Sequence, residues 1–262
     1  MAIELTLAII IFVMILAFGC EYIDSALGMG YGTIMSPVLI LLGFDPLLVV
    51  PSILFSEAFS GFSSSIMHHY HKNIDFTNKE EKHLKVVYLI SGLSVVATIL
   101  TVILVVNVPK IFVSAYIGII VLLMGLLLIS NLRFAFSWKK ITVIGVVSAF
   151  NKTISGGGFG PLVTAGQVIS GRETKPSIAV TGACEIAVCV VGFIMYFILN
   201  GIETFILPIA MAIASVSVTP LATFTTKQIK KDVLARRLVG VVCAVLGVLT
   251  ILSLIFGFKF ST

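Results

Sequence analysis

Gly28-Met-Gly-Tyr-Gly32 and, 128 residues further on, Gly156-Gly-Gly-Phe-Gly160 break long hydrophobic stretches with clustered glycine. On the same gapless diagonal Gly43 meets Gly171, Asp45 meets Glu173 and Glu57 meets Glu185. The identities are few, but they fall on glycines and carboxylates, the residue types that matter most inside a membrane. A duplicated chain whose halves each break a helix at glycines and carry an intramembrane carboxylate reads as a transporter.

The surroundings of these blocks require a membrane. Only 11% of the 262 residues are charged and 58% are hydrophobic, whereas a soluble domain carries about 25% charge. Mean hydropathy is +1.16. The net charge of +5 is therefore no signal for nucleic acid, and its meaning lies in where the charges sit. The start, Met-Ala-Ile-Glu, has no basic residue before its apolar run and reads as a retained first span. Cys20, Cys184, Cys189 and Cys243 lie in apolar segments without metal-site spacing and read as small buried hydrophobes.

Apolar stretches run over about 4–26, 30–43, 46–70, 84–107 and 110–130, and recur over 139–155, 158–170, 176–199, 203–225 and 236–258. The second stretch of each half is too short for a hydrocarbon core about 30 Å thick, so both read as half-helices or re-entrant pieces. Fourteen of the 17 basic residues follow odd-numbered stretches. They include Lys72, Lys79, Lys82 and Lys85, then Arg133, Lys139 and Lys140. The positive-inside rule puts those loops in the cytoplasm, both termini outside, and Asp45, Lys110 and Glu203 on the outer face. Five segments per half is an odd number, so the halves insert with opposite orientation. The expected fold is thus an all-α polytopic membrane protein of two inverted repeats, 1–130 and 141–262, joined by a basic cytoplasmic linker at 131–140. Trp138, Phe134 and Phe136 beside Arg133 and Lys139 read as an interface anchor.

Ionisable groups in hydrocarbon cost several kcal/mol unless partnered, so each is a site candidate. Glu57 and its repeat mate Glu185 either cap neighbouring helix ends or handle substrate and protons, since a desolvated carboxyl holds its proton more tightly. Asp24, a coupling-proton candidate with Glu57 and Glu185, and Lys152 occupy equivalent positions ahead of the two glycine blocks, and could pair across the axis. Alternatively Lys152 meets an anionic substrate, helped by Asn151, Thr153 and Ser155. Glu21 lies one turn before Asp24, nearer the helix end, where solvent can reach it.

Gly28, Gly30 and Gly32 can turn the chain within the interior. The half-helix after them, starting near Thr33, then presents free N–H groups that favour an anion. Gly156, Gly157, Gly158 and Gly160 repeat this from the opposite side, with Pro161 in the first helical turn. Tight helix packing by small residues is the competing explanation. His68, His69 and His71 read as an interfacial cap, and no metal site is expected.

Other classes are weaker. No Walker motif or soluble nucleotide-binding unit is present, so no cofactor is expected. Ser155-Gly with a distant His only superficially suggests an intramembrane hydrolase, because no His lies at midplane depth. A receptor role and a cation carrier remain alternatives. The latter draws on Glu21, Asp24, Glu57, Glu185 and Lys152, which sum to −3. Expected partners are a small anion and membrane lipids, with a homo-oligomer left open.

The glycine blocks, the Pro37-Val-Leu39 run and Ser155-Gly-Gly-Gly-Phe-Gly-Pro161 resemble the sulfite exporter TauE/SafE family over nearly the whole chain. Met29 stands where a run of glycines is common. The resemblance implies a plasma-membrane transporter of sulfite, sulfonates or other small sulfur-containing anions, and not an enzyme.

Overall fold

Backbone N–H and C=O groups find no water in hydrocarbon, so a chain this apolar must satisfy them within helices or a closed barrel. The structure, a computed structural model, describes residues 6–78, 83–130, 138–169, 172–228 and 233–257. Among them all the regular secondary structure is helical. The first half forms α1 (Leu7–Leu27), α2 (Tyr31–Leu41), α3 (Pro46–Tyr70), α4 (His83–Val105) and α5 (Lys110–Ile129). The second forms α6 (Trp138–Ser155), α7 (Phe159–Ile169), α8 (Thr174–Asn200), α9 (Ile206–Gln228) and α10 (Val233–Phe256). Expectations resting on Lys79, Lys82, Arg133, Phe134, Phe136, Gly171, Lys230, Lys231 and Lys259 lie outside the described residues, as does 131–137 of the linker. Positions 138–140 of that linker already belong to α6.

Seven of the helices are long and apolar enough to cross a membrane. With 11 residues each, α2 and α7 reach only about 16 Å at 1.5 Å per residue, half of a hydrocarbon core. Each packs back on the helix before it, so α1–α2 and α6–α7 form broken hairpins. Local chemistry places the ends. The Asp45 carboxylate accepts from the Leu47 N–H at 2.9 Å, with Pro46 in the first turn of α3. At the end of α1, Gly28 takes φ of 75° and donates its N–H to the Asp24 carbonyl.

The two halves interleave. α1 packs on α9 and α6 on α4, while α3 packs on α9 and α8 on α4. α3 also meets α8, and α5 meets α10. Each of these contacts maps onto another, or onto itself, when α1–α5 are exchanged with α6–α10. In the α5–α10 seam Gly118 and Gly125 lie against Gly240, Ala244 and Gly247, and such small residues let backbones touch, the main source of helix association in lipid. Large apolar side chains such as Ile15, Leu100, Leu234 and Ile255 stay exposed on the flanks.

Charges sort to two ends. The Lys110 ammonium pairs with the Asp45 carboxylate at one. At the other Lys175 Nζ donates to the Lys227 carbonyl at 2.6 Å, and Arg172 lies 2.6 Å from His83.

Candidate functional site

The tips of the two broken hairpins cross at the centre of the molecule. Gly32 lies directly against the Gly156 carbonyl, Gly157 against the backbone of Gly32 and Thr33, and Gly160 against the Gly28 carbonyl. A Cβ on Gly160 would come within 2.6 Å of that oxygen. The glycine blocks thus touch one another backbone to backbone and leave no gap between them. Thr164 Oγ1 ties the crossing by donating to the Gly28 carbonyl at 3.0 Å.

Just beside the crossing lies the charged centre. Lys152, on the last turn of α6, is 1% exposed. Its ammonium pairs with the Glu57 carboxylate from α3 and, at 2.8 Å, with Glu185 Oε1 from α8. Both repeat-mate carboxylates therefore converge on one lysine. Asp24 is not among its ion-pair partners, contrary to the pairing across the axis that equivalent positions suggested. Asp24 Oδ1 instead accepts from the Tyr31 N–H at 3.2 Å. It occupies the N-terminus of α2 that was expected to face an anion. One oxygen each from Asp24, Glu57 and Glu185 nonetheless lie within 4.8 Å of one another.

The polar residues around Lys152 are turned to structural partners. Asn151 accepts from the Tyr116 hydroxyl. The Ser155 hydroxyl donates to the Asn151 carbonyl at 2.7 Å and accepts from the Gly157 N–H at 3.1 Å. Tyr196 donates to the Thr153 carbonyl at 2.8 Å. The Tyr31, Ser56 and Ser215 hydroxyls form a chain with links of 2.6 and 2.8 Å. Gly158 takes φ of 85° and Gly30 of 135°, so both do turn the chain.

Beside the crossing a cavity of about 20 Å³ is lined by Glu21, Asp24, Glu57, Ser60, Ser64 and Glu185, with Ser25 and Thr181 also on its wall. That is room for a single water. The positions related to Thr181 and Gly182 by the repeat are Ile53 and Leu54. They pack against Gly156 and Gly192.

Two residues depart from the sequence expectation. Glu21 is 2% exposed rather than solvated, and accepts from Ser25 Oγ at 2.6 Å and Ser60 Oγ at 2.9 Å. The end of α1 is the tip of a hairpin inside the protein, not a membrane interface. His68 is buried as well, with Nδ1 at 3.1 Å from Asn73 Nδ2, whereas His69 keeps an exposed position near Asp75. The four cysteines are buried and unpaired.

Seven helices long and apolar enough to cross a membrane, packed around a buried charged centre, define a polytopic membrane protein. The comparisons with known proteins agree. The family model described as "Sulfite exporter TauE/SafE" matches residues 12–250, and the chain belongs to that family. No curated protein and no solved structure is found to match it.

Proposed function

We propose that this chain is a secondary transporter of a small sulfur oxyanion, such as sulfite or a sulfonate, working by alternating access with proton coupling. One observation carries the reading: a single buried lysine is held by two repeat-related glutamates where two broken helices cross. Lys152 is the only cation described at this centre, and Glu57 and Glu185 occupy it. An anion reaches the ammonium only when those carboxylates give way. Protons on Glu57 and Glu185 remove the competing charges, so substrate and protons travel together. Gly28, Gly30, Gly32 and Thr33 on one hairpin, and Asn151, Ser155, Gly156, Gly157, Gly158 and Gly160 on the other, act as the frame about which the site rearranges. Asp24 holds the start of α2 and adds to the negative field.

Two inverted repeats and a plasma-membrane location with both termini outside complete the proposal. The exchange of packing partners between halves supports the first. The segregation of Asp45 and Lys110 from Arg172, Lys175 and Lys227 supports the second. On this orientation the Ser64 end of the polar cavity lies on the cytoplasmic side of the Lys152 centre. Cysteine introduced at Lys139 should resist a membrane-impermeant maleimide added to intact cells, and cysteine at Lys110 should react. Labelling at Lys139 from outside would reverse the topology.

The transport reading is tested in proteoliposomes with an imposed pH gradient. Sulfite flux in the wild type should follow the gradient. Glu57→Gln or Glu185→Gln preserves size and hydrogen bonding but removes a titrating proton. At least one should abolish the pH dependence while still binding substrate. Wild-type pH profiles in both variants would make the pair structural. A cation carrier is the second reading, favoured by the proximity of the Asp24, Glu57 and Glu185 oxygens. Cation uptake that sulfite neither drives nor inhibits would select it.

A further inference from the structure

We propose that Glu21 is a second proton-carrying site, loaded from the His68 end of α3 and emptied through the cavity into the Lys152 centre. The inference rests on the proton-coupled reading above, but its test requires no substrate.

The geometry begins with a stripe on α3. Glu57, Ser60, Ser64 and His68 stand at intervals of three, four and four residues, on one face of the helix. All four are buried. At 1.5 Å per residue the stripe covers about 16 Å, from the charged centre toward the end of the molecule that bears Lys175 and Lys227. Glu57, Ser60 and Ser64 line the cavity. His68 stands beside the Ser25 backbone, and Ser25 lines the cavity from α1. The Asn73 amide donates to Nδ1, so the neutral ring carries its proton on Nε2, which is buried without a hydrogen-bond partner. A buried ring nitrogen with nothing to bond is costly to keep. It is the expected feature of a group that takes up and passes on a proton, because imidazole exchanges protons at either nitrogen.

Glu21 faces this stripe from α1. Its two oxygens accept from Ser25 and Ser60, and among the described residues no cation pairs with it. The titratable groups around it are Cys20 and Asp24 on α1, Tyr31 on α2, Glu57 on α3 and Glu185 on α8. From α9 the side chain reaching this turn is a hydroxyl, Thr226, which donates to the Ser25 carbonyl at 3.2 Å. Every ionisable neighbour is therefore acidic, and the one lysine nearby is engaged by Glu57 and Glu185. A carboxylate buried with only hydroxyl donors and acidic neighbours is unfavourable. A proton removes that charge, and Glu and His chains serve as proton relays in membrane proteins.

The transfers balance as proton movements alone. A proton from the aqueous phase adds to His68 Nδ1 in place of the Asn73 hydrogen bond, giving an imidazolium. The imidazolium returns to neutral as its Nε2 proton passes, by way of water at the Ser25 and Ser64 end of the cavity, to the Glu21 carboxylate. A water in the cavity then accepts the Glu21 proton while donating one of its own to Glu57 or Glu185. The neutralised glutamate releases its hold on the Lys152 ammonium.

Infrared spectroscopy of the full chain in lipid nanodiscs, without substrate, reads these states directly. At neutral pH the wild type should show the C=O stretch of a neutral carboxylic acid. Glu21→Gln should remove that component, and Ser60→Ala should shift its frequency by deleting a hydrogen bond. His68→Gln should leave the band in place but slow its hydrogen–deuterium exchange with buffer by an order of magnitude or more. Ser60→Ala keeps the carboxyl, so it carries the test even if Glu21→Gln does not fold. An unchanged carboxylic-acid region in both variants means an ionised Glu21 and overturns the proposal. Wild-type exchange in His68→Gln overturns the relay through the histidine. Absence of sulfite flux in proteoliposomes would refute the substrate reading and leave these spectra unaffected, so the two failures are separable.

Discussion

Lys152→Met should be the most damaging single-charge change in the protein. It keeps the length of the side chain but strands Glu57 and Glu185, two carboxylates that share the lost ammonium. Removing one partner of a buried ion pair costs about 3–5 kcal/mol, a large part of the 5–15 kcal/mol by which a typical domain is stable. In detergent, thermal melting followed by size-exclusion chromatography should show the variant aggregating well below the wild type. Adding Glu57→Gln and Glu185→Gln to Lys152→Met should recover most of the melting temperature, because neutral replacement of a whole buried charge set is tolerated far better than its division. Transport should stay absent in that triple variant, since no cation remains at the centre. If Lys152→Met alone melts like the wild type, the ion pairs do not hold the hairpin tips together.

Gly32→Ala should be nearly as severe, for a steric reason. The added methyl would fall on the Gly156 carbonyl, a backbone atom on the opposing hairpin. Overpacking in ordinary cores costs about 1–3 kcal/mol, because side chains can shift. Here nothing flexible stands in the way, and the crossing itself has to separate. The expected result is little or no folded protein on size-exclusion chromatography. Gly182→Ala in α8 has open space around it and should express normally. Equal yields for the two variants would show that the crossing is looser than its backbone contacts indicate.

The helices were legible in the sequence because hydrocarbon leaves so few options. Length, glycine breaks and loop charge place nearly every segment within a few residues of the observed helix. The chemistry at the centre was legible by type, since Lys152, Glu57 and Glu185 are too costly in lipid to be incidental. Their pairing was not. Whether Lys152 meets Asp24 or the two glutamates depends on how α3, α6 and α8 rotate about their axes, and no periodicity reports that. Glu21 was misplaced for a related reason. Counted along an apolar run it sits near the end of a span, but α1 ends inside the molecule, at a hairpin tip, so the end of the helix is among the most enclosed places in the fold. The glycines were legible as breaks, while their mutual contact requires knowing that the two tips overlap.

The crossing also carries a consequence for biogenesis. Glu57 precedes its lysine partner by 95 residues, and α1 and α3 wait for α9 to cover them. When the first five helices have left the ribosome, their hairpin tip has nothing to lean on and their carboxylate has no counter-charge. The nascent first half is therefore an unfinished body in the bilayer, dependent on what is synthesised next. Its maturation is a late event, completed only when the second hairpin slots against the first. Quality control in the membrane would meet this chain as an intermediate for most of its synthesis, and truncation anywhere before α9 would leave that intermediate permanent.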